Sequence, residues 1–295
     1  MSFQHQLLII TRPIQKLVRK IGCKLGFSSP NRLRVLLYHD VPVEEEGSFY
    51  NQLVWLRKDW NFVTPIQFEE MILGRIPIIG NNLLITFDDG LLSNRVVAEK
   101  ILNPMGIKAI FFIISEFAKI KEPSEARKFI SLNLIPGSKL QDIPSQWSNL
   151  QWHDLSALVK QGHSIGHHTR THKRLDKFTS KAQLEDEILI SARDIEINLG
   201  IKVNHFAYTY GDIDSFSREA LLIASRKFGF VYSGIRGNNF NHISSMVIRR
   251  DAAASQCLNN EYKIFNNKLL DAFLDGFADF SYINSRKKLD LWSRK

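Results

Sequence analysis

The stretch LLITFDDGLLSN, residues 83–94, places two adjacent acids directly after a run of apolar residues. The apolar run is typical of a β-strand that is covered on both faces, as in a parallel sheet between helices. Neighbouring side chains of a strand point to opposite faces, so Asp88 and Asp89 can share one ligand only where the strand ends and the backbone turns. Gly90 permits such a turn. Because two close carboxylates repel each other, we expect a cation beside them.

Similar strand-like runs alternate along the chain with amphipathic helical stretches. The candidate strands are RLRVLLYH, NNLLITF, IKAIFFII, HSIGHH, KVNHFAY, FGFVYSG and SSMVIRR. The candidate helices cover residues 51–57, 67–73, 93–102, 153–161, 180–198 and 217–228. This alternation indicates a parallel sheet, and about seven such units favour a closed or nearly closed α/β barrel. In such a barrel the carboxyl ends of the strands form the mouth of the active site.

A second polar cluster lies in IGHHTRTHKRL, residues 165–175, where His168 and His172 are four residues apart. On a helical turn this spacing brings two imidazoles to one metal ion. With one carboxylate they would form a two-histidine, one-aspartate set, which leaves coordination positions open as in catalytic zinc sites. The pair alone is equally compatible with exposed or core histidines. Its combination with the Asp-Asp-Gly strand end is what favours a metal.

Composition narrows the class of protein. The chain has 295 residues, of which 44% are hydrophobic and 23% charged, as is typical of a soluble globular protein. No window approaches the ~20 apolar residues of a membrane-spanning helix. Cys23 and Cys257 are the only cysteines and lie far apart, so neither a disulfide framework nor a cysteine-rich zinc site is expected. No recognisable module interleaves aromatic and basic residues, and we expect no nucleic-acid partner.

The net charge of +9 is concentrated at the front of the chain, since no acidic residue precedes Asp40. The segment RPIQKLVRKIGCKLG, residues 12–26, carries apolar residues at helical spacing and indicates a basic amphipathic helix. Such a helix can rest on anionic lipid, or it can pack its apolar side on the domain. The apolar stretch at residues 7–10 is short for a signal peptide and follows no basic residue, so we expect a cytoplasmic or membrane-peripheral location.

The motifs TFDDG, residues 86–90, and HTRTH, residues 168–172, resemble the first two motifs of the NodB-homology polysaccharide deacetylases, carbohydrate esterase family 4. VLLYHDV, QWHDLSALVKQGHSIGHHTRTHKRL and HFAYTYGDIDSFSREAL follow in that family's order. The resemblance implies a distorted, TIM-like (β/α)7 barrel that removes the N-acetyl group of a sugar with a divalent metal, zinc first and cobalt or nickel as alternatives. We accordingly divide the chain into a basic N-terminal segment (1–31), a deacetylase barrel (32–280) and a basic C-terminal tail (281–295).

The resemblance also implies a role for each central residue. Asp88 would be the base that takes a proton from a metal-bound water, while Asp89, His168 and His172 would bind the metal. The backbone N–H of Tyr210, in AYTYG, would face the oxyanion of the tetrahedral intermediate. These roles agree with general chemistry, because a metal polarises the acetamide carbonyl and a free carboxylate accepts the proton.

Two parts of the family pattern are altered. The third motif often reads Arg-x-Pro-Tyr-Gly, with the arginine pairing the catalytic aspartate, and here Ala207 and Thr209 stand in place of the arginine and the proline. Arg249 or Arg250 in VIRR would supply the charge from another direction, unless they are ordinary arginines at a strand end. The Leu-x-His motif, whose histidine protonates the leaving amine, has no clean match. His242, the only histidine after residue 205, is the candidate acid.

Further residues are candidates for binding substrate. His39 ends the first strand at the mouth and would contact substrate or orient the base, unless it is a buried structural histidine. Asp214 in YGDID would bind sugar hydroxyls, although a turn rich in aspartate explains it equally well. Arg250 is the third candidate. Residues 119–149 form a long excursion over the mouth, and loops of that length are often functional.

The main hypothesis is therefore a metal-dependent hydrolase that deacetylates a polysaccharide, a lipopolysaccharide unit or a lipid-linked sugar. The basic front helix favours the last two, because it would rest on the membrane that anchors them. The alternative is a non-catalytic carbohydrate- or partner-binding barrel that retains the metal site. An aspartyl phosphotransferase fits less well, since it would leave the paired histidines unexplained.

Overall fold

The computed structural model describes residues 3–27, 29–177, 180–240, 243–252, 257–259 and 264–294. Two helices, α1 (Phe3–Ile10) and α2 (Arg12–Lys24), precede the first strand, β1 (Arg32–Tyr38). Over the described part of the chain, none of the helices combines the length and the apolar character that crossing a bilayer would require.

The centre of the fold is one curled parallel sheet. Its strands are β1, β2 (Asn61–Phe62), β3 (Asn81–Phe87), β4 (Ala109–Ile113), β5 (Ser164–His167), β6 (His205–Ala207) and β7 (Phe230–Tyr232). They are ordered β1-β3-β4-β5-β6-β7, and the short β2 pairs with β3. A separate antiparallel pair, β8 (Leu258–Asn259) and β9 (Ile264–Phe265), follows later in the chain.

A segment after β7 joins the two outer strands of the sheet. Ile248 bridges to Tyr232 of β7, and Asp251 bridges to Leu36 of β1, both in parallel orientation. The predicted strand SSMVIRR is wrong in its first half, because residues Ser245–Val247 form a short 3-10 helix capped by the hydroxyl of Ser244. The second half closes the sheet into a barrel, as the α/β-barrel prediction required.

Helices cover the outside of the sheet, most of them between successive strands and the last two after β9. They are α3 (Glu46–Leu56), α4 (Pro65–Ile72), α5 (Ser93–Val97), α6 (Ser115–Ala118), α7 (Pro123–Phe129), α8 (Trp152–Lys160), α9 (Lys181–Glu185), α10 (Ser191–Leu199), α11 (Arg218–Ala224), α12 (Asn267–Leu274) and α13 (Ile283–Ser293). Single π-helical turns extend α5 and α7, as Ala98–Leu102 and Ile130–Leu134, and a third, Asp186–Ile190, joins α9 to α10. The six helical stretches expected from the sequence are all present.

Successive side chains of the strands point to opposite faces of the sheet, so the sheet has an apolar core on each face. One face contributes Leu84 of β3 and Phe112 of β4 to a core that also holds Phe68 of α4. The other face contributes Phe87 and Phe111 to a larger core under the surrounding helices. Both layers are buried, which explains why the strands read as nearly continuous apolar runs.

The C-terminal residues also pack on the barrel. Helix α13 covers most of the segment that we expected to be a basic tail, and its Leu289 is buried. Asp290 of the same helix pairs with Arg249 at 3.0 Å, next to the segment that closes the sheet.

Candidate active site

The two adjacent acids reach the same space because the backbone turns at the second one. Asp88 still belongs to the sheet pattern, since its N–H donates to the carbonyl of Tyr38 at 2.9 Å. Asp89 has a φ of 73° and Gly90 a φ of 77°, both in the left-handed region. A Cβ at Gly90 would also lie 3.2 Å from the Ile113 side chain. The turn therefore begins at Asp89 itself and abolishes the alternation that would have separated the carboxylates.

Asp89, His168 and His172 converge on one point. The distances from Oδ1 of Asp89 to Nε2 of His168 and of His172 are 3.5 and 3.4 Å. All three side chains are buried, and their candidate ligand atoms lie within 4.8 Å of one another. Asp88 stands beside this trio, with its Oδ2 3.8 Å from Nε2 of His168. We refer to Asp89, His168 and His172 as the metal trio.

Backbone carbonyls set the tautomer of both imidazoles. Nδ1 of His168 lies 2.7 Å from the carbonyl of Ala207, and Nδ1 of His172 lies 2.9 Å from that of Asn133. A carbonyl only accepts hydrogen bonds, so each Nδ1 carries the proton and each Nε2 presents a lone pair toward Asp89. This arrangement is the usual support of a metal-ligating histidine. The long excursion after α6 thus contributes to the site through Asn133.

The loop that carries the histidines is not the helical turn we expected. Residues 168–172 lie outside any helix, and Thr169 and His172 both have a φ of 65°. The two rings nevertheless meet, with centroids 5.4 Å apart. Glu187 holds the loop, because its carboxylate accepts from the backbone N–H groups of Arg170 and Thr171, each at 2.9 Å. The conformation of the histidine loop is therefore held by hydrogen bonds to the buried carboxylate of Glu187, and not by helical hydrogen bonds.

The trio fits a divalent metal. Oδ1 of Asp89 is buried and has no hydrogen-bond partner among the described residues, although it faces two imidazole nitrogens. Burial lowers the pKa of His168 to about 4, which keeps this imidazole in the neutral form that binds metal. Two nitrogen donors and one carboxylate oxygen match the preferences of zinc and related ions. Such a set also leaves positions for water and substrate.

Arg250 holds the remaining acid. Its two terminal nitrogens contact the two carboxylate oxygens of Asp88 at 2.7 and 2.8 Å, and its Nε donates to the carbonyl of Ser233. Burial alone would raise the pKa of Asp88, but the guanidinium, helped by His168, holds the pKa below its usual value. Arg250 is only 1% exposed, so the geometry favours its charge-supplying role over the expected contact with substrate.

Tyr210 lies at the rim of the trio. Its ring is 5.1 Å from the ring of His172, and the guanidinium of Arg174 covers it at 5.3 Å. The residue has a φ of 64°, and among the described residues none accepts a hydrogen bond from its backbone N–H. The turn at Tyr210 therefore has left-handed backbone geometry, and its ring contacts that of a member of the metal trio.

The remaining candidate residues, His39, Asp214 and His242, are not among the buried residues of the site described so far. His39 is exposed at the end of β1, so it is not a buried structural histidine. Asp214 is 82% exposed and lies in the expected aspartate turn, where its N–H donates to the side chain of Asp212 at 2.8 Å. No described contact joins Asp214 to the metal trio. His242 lies outside the described residues.

A cavity of about 280 Å³ lies between the start of α3, helix α5 and the end of the long excursion, and neither Asp88 nor the metal trio lines it. Leu91 and Leu92, which directly follow Gly90, form part of its wall, and Trp147 and Asp40 form another part. The cavity is mainly apolar, and its lining also includes the carboxylates of Asp40 and Glu46, the amine of Lys100 and the indole of Trp147. Such a surface suits the face and hydroxyls of a sugar ring. Trp152, by contrast, packs against the main core.

Sequence reasoning missed two contributors to the site. Asn133 acts through its backbone carbonyl, which any residue would provide, so residue identity holds no signal. Glu187 lies in a stretch that we expected to be an uninterrupted helix and is only 4% exposed. The sequence signal that could have found Glu187 is an acidic residue on the inward, otherwise apolar face of an amphipathic helix.

Comparison with known proteins agrees with this geometry. A family model described as polysaccharide deacetylase matches residues 79–230. IcaB from Ammonifex degensii has a TM-score of 0.63 and 22% identity, covering 83% of this chain and 97% of that one. The deacetylase domain of BpsB from Bordetella bronchiseptica has a TM-score of 0.60 and 17% identity, covering 76% and 97%. The Streptococcus pyogenes deacetylase PplD, solved with acetate, has a TM-score of 0.59 and 19% identity, covering 75% and 92%.

No curated protein matches the chain. The matched residues include both acids and both histidines of the site and span more than half of the sequence. The chain belongs to the polysaccharide deacetylase family. The solved relatives share its fold of a curled, mostly parallel sheet surrounded by helices.

Proposed function

We propose that this protein is a metal-dependent hydrolase that removes the N-acetyl group from an N-acetylated glycan. The observation that carries the proposal is the buried metal trio beside a second acid that is held by an arginine instead of a metal. A binding module would need neither the free acid nor the open coordination positions. Amide hydrolysis at a metal needs both a metal site that can also bind water and substrate and a separate carboxylate that accepts a proton.

The chain's own residues divide the work of the reaction. A divalent ion bound to the trio would polarise the acetamide carbonyl and lower the pKa of a neighbouring water. Asp88 accepts the proton of the attacking water, since its Oδ2 lies 3.8 Å from Nε2 of His168 at the edge of the trio. Arg250 keeps Asp88 ionised and fixes the plane of its carboxylate through two hydrogen bonds. The base is therefore oriented before substrate arrives.

Tyr210 stabilises the developing negative charge. Its ring contacts that of His172, and its backbone N–H is held by the left-handed turn, so orienting this donor costs no reorganisation during the reaction. His242, the only histidine after residue 205, is the candidate that protonates the leaving amine, although the family's Leu-x-His motif has no clean match here. Asp88, which holds a proton after the first step, is the alternative donor. Acetate and a free amine are the products.

The substrate we favour is a polysaccharide chain. The cavity, whose wall includes Leu91 directly after Gly90, offers an indole and two carboxylates for a further sugar of a chain. Helix α2 lies near Arg32 and Asn81, the first residues of β1 and β3, whereas the acids follow the last residue of β3. Seven strand residues at ~3.3 Å each place the helix roughly 20 Å from the site. This separation is why we favour a polysaccharide over the lipopolysaccharide unit and the lipid-linked sugar, the two substrates that the basic helix alone favoured.

The proposal is tested by acetate release from N-acetylhexosamine oligomers and from undecaprenyl-linked N-acetylhexosamine. The wild type should release acetate from the oligomers, and Asp88→Asn should lose at least about 10²-fold in kcat. Metal content separates the two acids. Asp88→Asn should retain its metal, while Asp89→Asn and His168→Ala should lose it.

A second outcome would favour the binding barrel. If the wild type holds metal and binds the oligomers but releases no acetate from any substrate, the proposed hydrolysis is wrong. If Asp88→Asn and Asp89→Asn lose metal equally, the division of labour between the acids is wrong even where activity is present. Tyr50→Phe, at an exposed position on α3, is a control that should leave both metal content and activity unchanged.

A further inference from the structure

Helix α2 packs on the protein with its polar side. Arg12 and Gln15 are the buried residues of this helix, with 5% and 7% of their surface exposed. Nε of Arg12 donates to the carboxylate of Asp271 at 2.8 Å, and the same guanidinium pairs with Asp275. Arg19, about two helical turns after Arg12 on the same side of the helix, also pairs with Asp275. The helix is therefore attached through ion pairs, the reverse of an ordinary surface helix.

The apolar side of α2 faces solvent. We call the five residues of this side the outward stripe: Ile14, Leu17, Val18, Ile21 and Leu25. Each of them is between 47% and 64% exposed. Two further apolar residues of α1, Leu7 and Ile10, and Phe27 after α2 are also exposed by half or more. A contiguous apolar surface of this kind on a soluble domain marks an interaction site.

Basic residues border the stripe. A depression of about 480 Å³ lies between α2 and the start of β1, with Lys16, Arg19, Lys20, Lys24 and Arg32 around it. Asp271 and Asp275 in the same depression already pair with Arg12, Lys16 and Arg32. Lys20 and Lys24 are exposed, and no described carboxylate pairs with them. The rim of the stripe thus offers unneutralised positive charge.

The opposite border of the helix is apolar. A second depression of about 470 Å³ is lined mainly by apolar residues, Val18, Ile21, Leu25, Phe27 and Phe277, and its charged lining residues Arg19 and Asp275 form an ion pair. One side of α2 therefore suits anionic headgroups, and the other side suits hydrocarbon. A helix with this division lies in the interface plane of a bilayer.

We propose that α2 docks the protein on a bilayer that contains anionic phospholipid, with the outward stripe among the acyl chains and the lysines at the headgroups. A second copy of the chain is a poorer occupant. Pairing two stripes would bring Lys20 and Lys24 of both copies together, and no described carboxylate neutralises these lysines. An anionic bilayer supplies both the apolar and the negative surface.

Flotation of the full chain with vesicles tests this proposal. The protein should bind phosphatidylcholine vesicles that contain phosphatidylglycerol, bind pure phosphatidylcholine weakly, and dissociate as salt is raised. The variant Ile14→Ser/Leu17→Ser/Ile21→Ser should lose about tenfold or more of its vesicle affinity. Lys20→Gln/Lys24→Gln should lose roughly fivefold for each lysine. Acetate release from soluble oligomers should be unchanged in both, since α2 lies far from the site.

Matched substitutions elsewhere control for general surface effects. Ile197→Ser on α10 removes an apolar residue that is 79% exposed, and Lys128→Gln on α7 removes an exposed lysine, and neither should alter vesicle binding. All variants should unfold at the wild-type temperature, because the replaced side chains face solvent. Equal binding to both vesicle types, or no loss in the stripe variant, overturns the proposal. If the wild type is a dimer that does not bind vesicles, and the stripe variant is a monomer, the stripe is an interface with a second copy of the chain.

Discussion

Arg250 and Asp88 form a two-point ion pair across 162 residues of sequence, and both are almost completely buried. The pair depends on the segment that closes the barrel, whose consecutive residues alternate between its two faces. Arg250 points to the inner face and Asp88, while Asp251 points to the outer face and pairs with Arg34 at 3.2 Å. The closure that completes the fold therefore also delivers the charge that holds the base.

A double-mutant cycle should show strong coupling between these residues. Arg250→Gln and Asp88→Asn each leave one buried charge without its partner, which should cost about 3 to 5 kcal/mol of unfolding free energy. The double variant should be more stable than the sum of the two losses predicts, by about 2 kcal/mol. Urea unfolding of the metal-free proteins measures this, because bound metal would add to stability.

Metal content is the control measurement for this double-mutant cycle. Arg250→Gln should keep its metal content while it loses activity, since Arg250 contacts no member of the metal trio. Additive losses would show that the two side chains do not depend on each other. Loss of metal in Arg250→Gln would mean that the arginine supports the whole site and not the base alone.

Much of the fold and the centre of the site could be predicted because their signals are local. Apolar runs and helical periodicity each span a few turns, so the alternation of strand and helix was readable. The motifs around Asp88, Asp89, His168 and His172 each lie within five residues. Strand ends of a parallel barrel meet at one mouth, and this rule brings the two motifs together without any knowledge of loops.

The parts that failed depend on contacts distant in sequence. Arg250 follows no local pattern that distinguishes it from Arg249, and only the register of the closing segment decides which of them faces Asp88. The residues Ser244 to Val247 were expected in a strand, but a local Ser cap and a 3-10 helix prevailed. The turn at His172 depends on Glu187 and on the carbonyl of Asn133, neither of which lies near it in sequence.

Tyr210 should act through its backbone and ring, not through its hydroxyl. Tyr210→Phe keeps the N–H and the ring contact with His172, so kcat should stay within roughly threefold of wild type. Tyr210→Ala removes the ring and should weaken metal affinity, because His172 loses the partner that restricts it. Acetate release and metal titration measure the two effects. A loss of 10²-fold or more in Tyr210→Phe would assign the oxyanion or acid role to the phenol.

Asp251 should contribute to stability far more than an exposed acid of the same neighbourhood. Its carboxylate lies 3.2 Å from Nε of Arg34 and 3.1 Å from Nε of Arg236, in a completely buried position. Asp251→Asn leaves the two guanidiniums with one negative charge fewer and should cost about 3 kcal/mol or more. Asp290→Asn, which affects the partly exposed pair with Arg249, should cost under about 1 kcal/mol. Equal losses in urea unfolding would contradict this view of the barrel closure.

His163 should make the fold sensitive to acid. Its Nδ1 accepts from the N–H of Ala109 at 3.1 Å and its Nε2 lies 3.1 Å from the amide oxygen of Asn103, so the ring is held neutral. Burial, followed by the nearby Lys108, lowers the pKa of His163 to about 4, against about 6.5 in the unfolded chain. The unfolded state then binds more protons between these values, so stability falls as pH is lowered through this window, by up to about 3 kcal/mol.

The substitution His163→Asn isolates this contribution. The asparagine oxygen can accept from Ala109 without a titrating group, so the variant should be less stable at neutral pH but lose less stability between about pH 6.5 and 4. Urea unfolding of the metal-free proteins across this range measures the difference, and the other histidines cancel between the two curves. His153→Asn, at a side chain that is 70% exposed, should run parallel to wild type. If His163→Asn also runs parallel, the buried imidazole does not control the acid response.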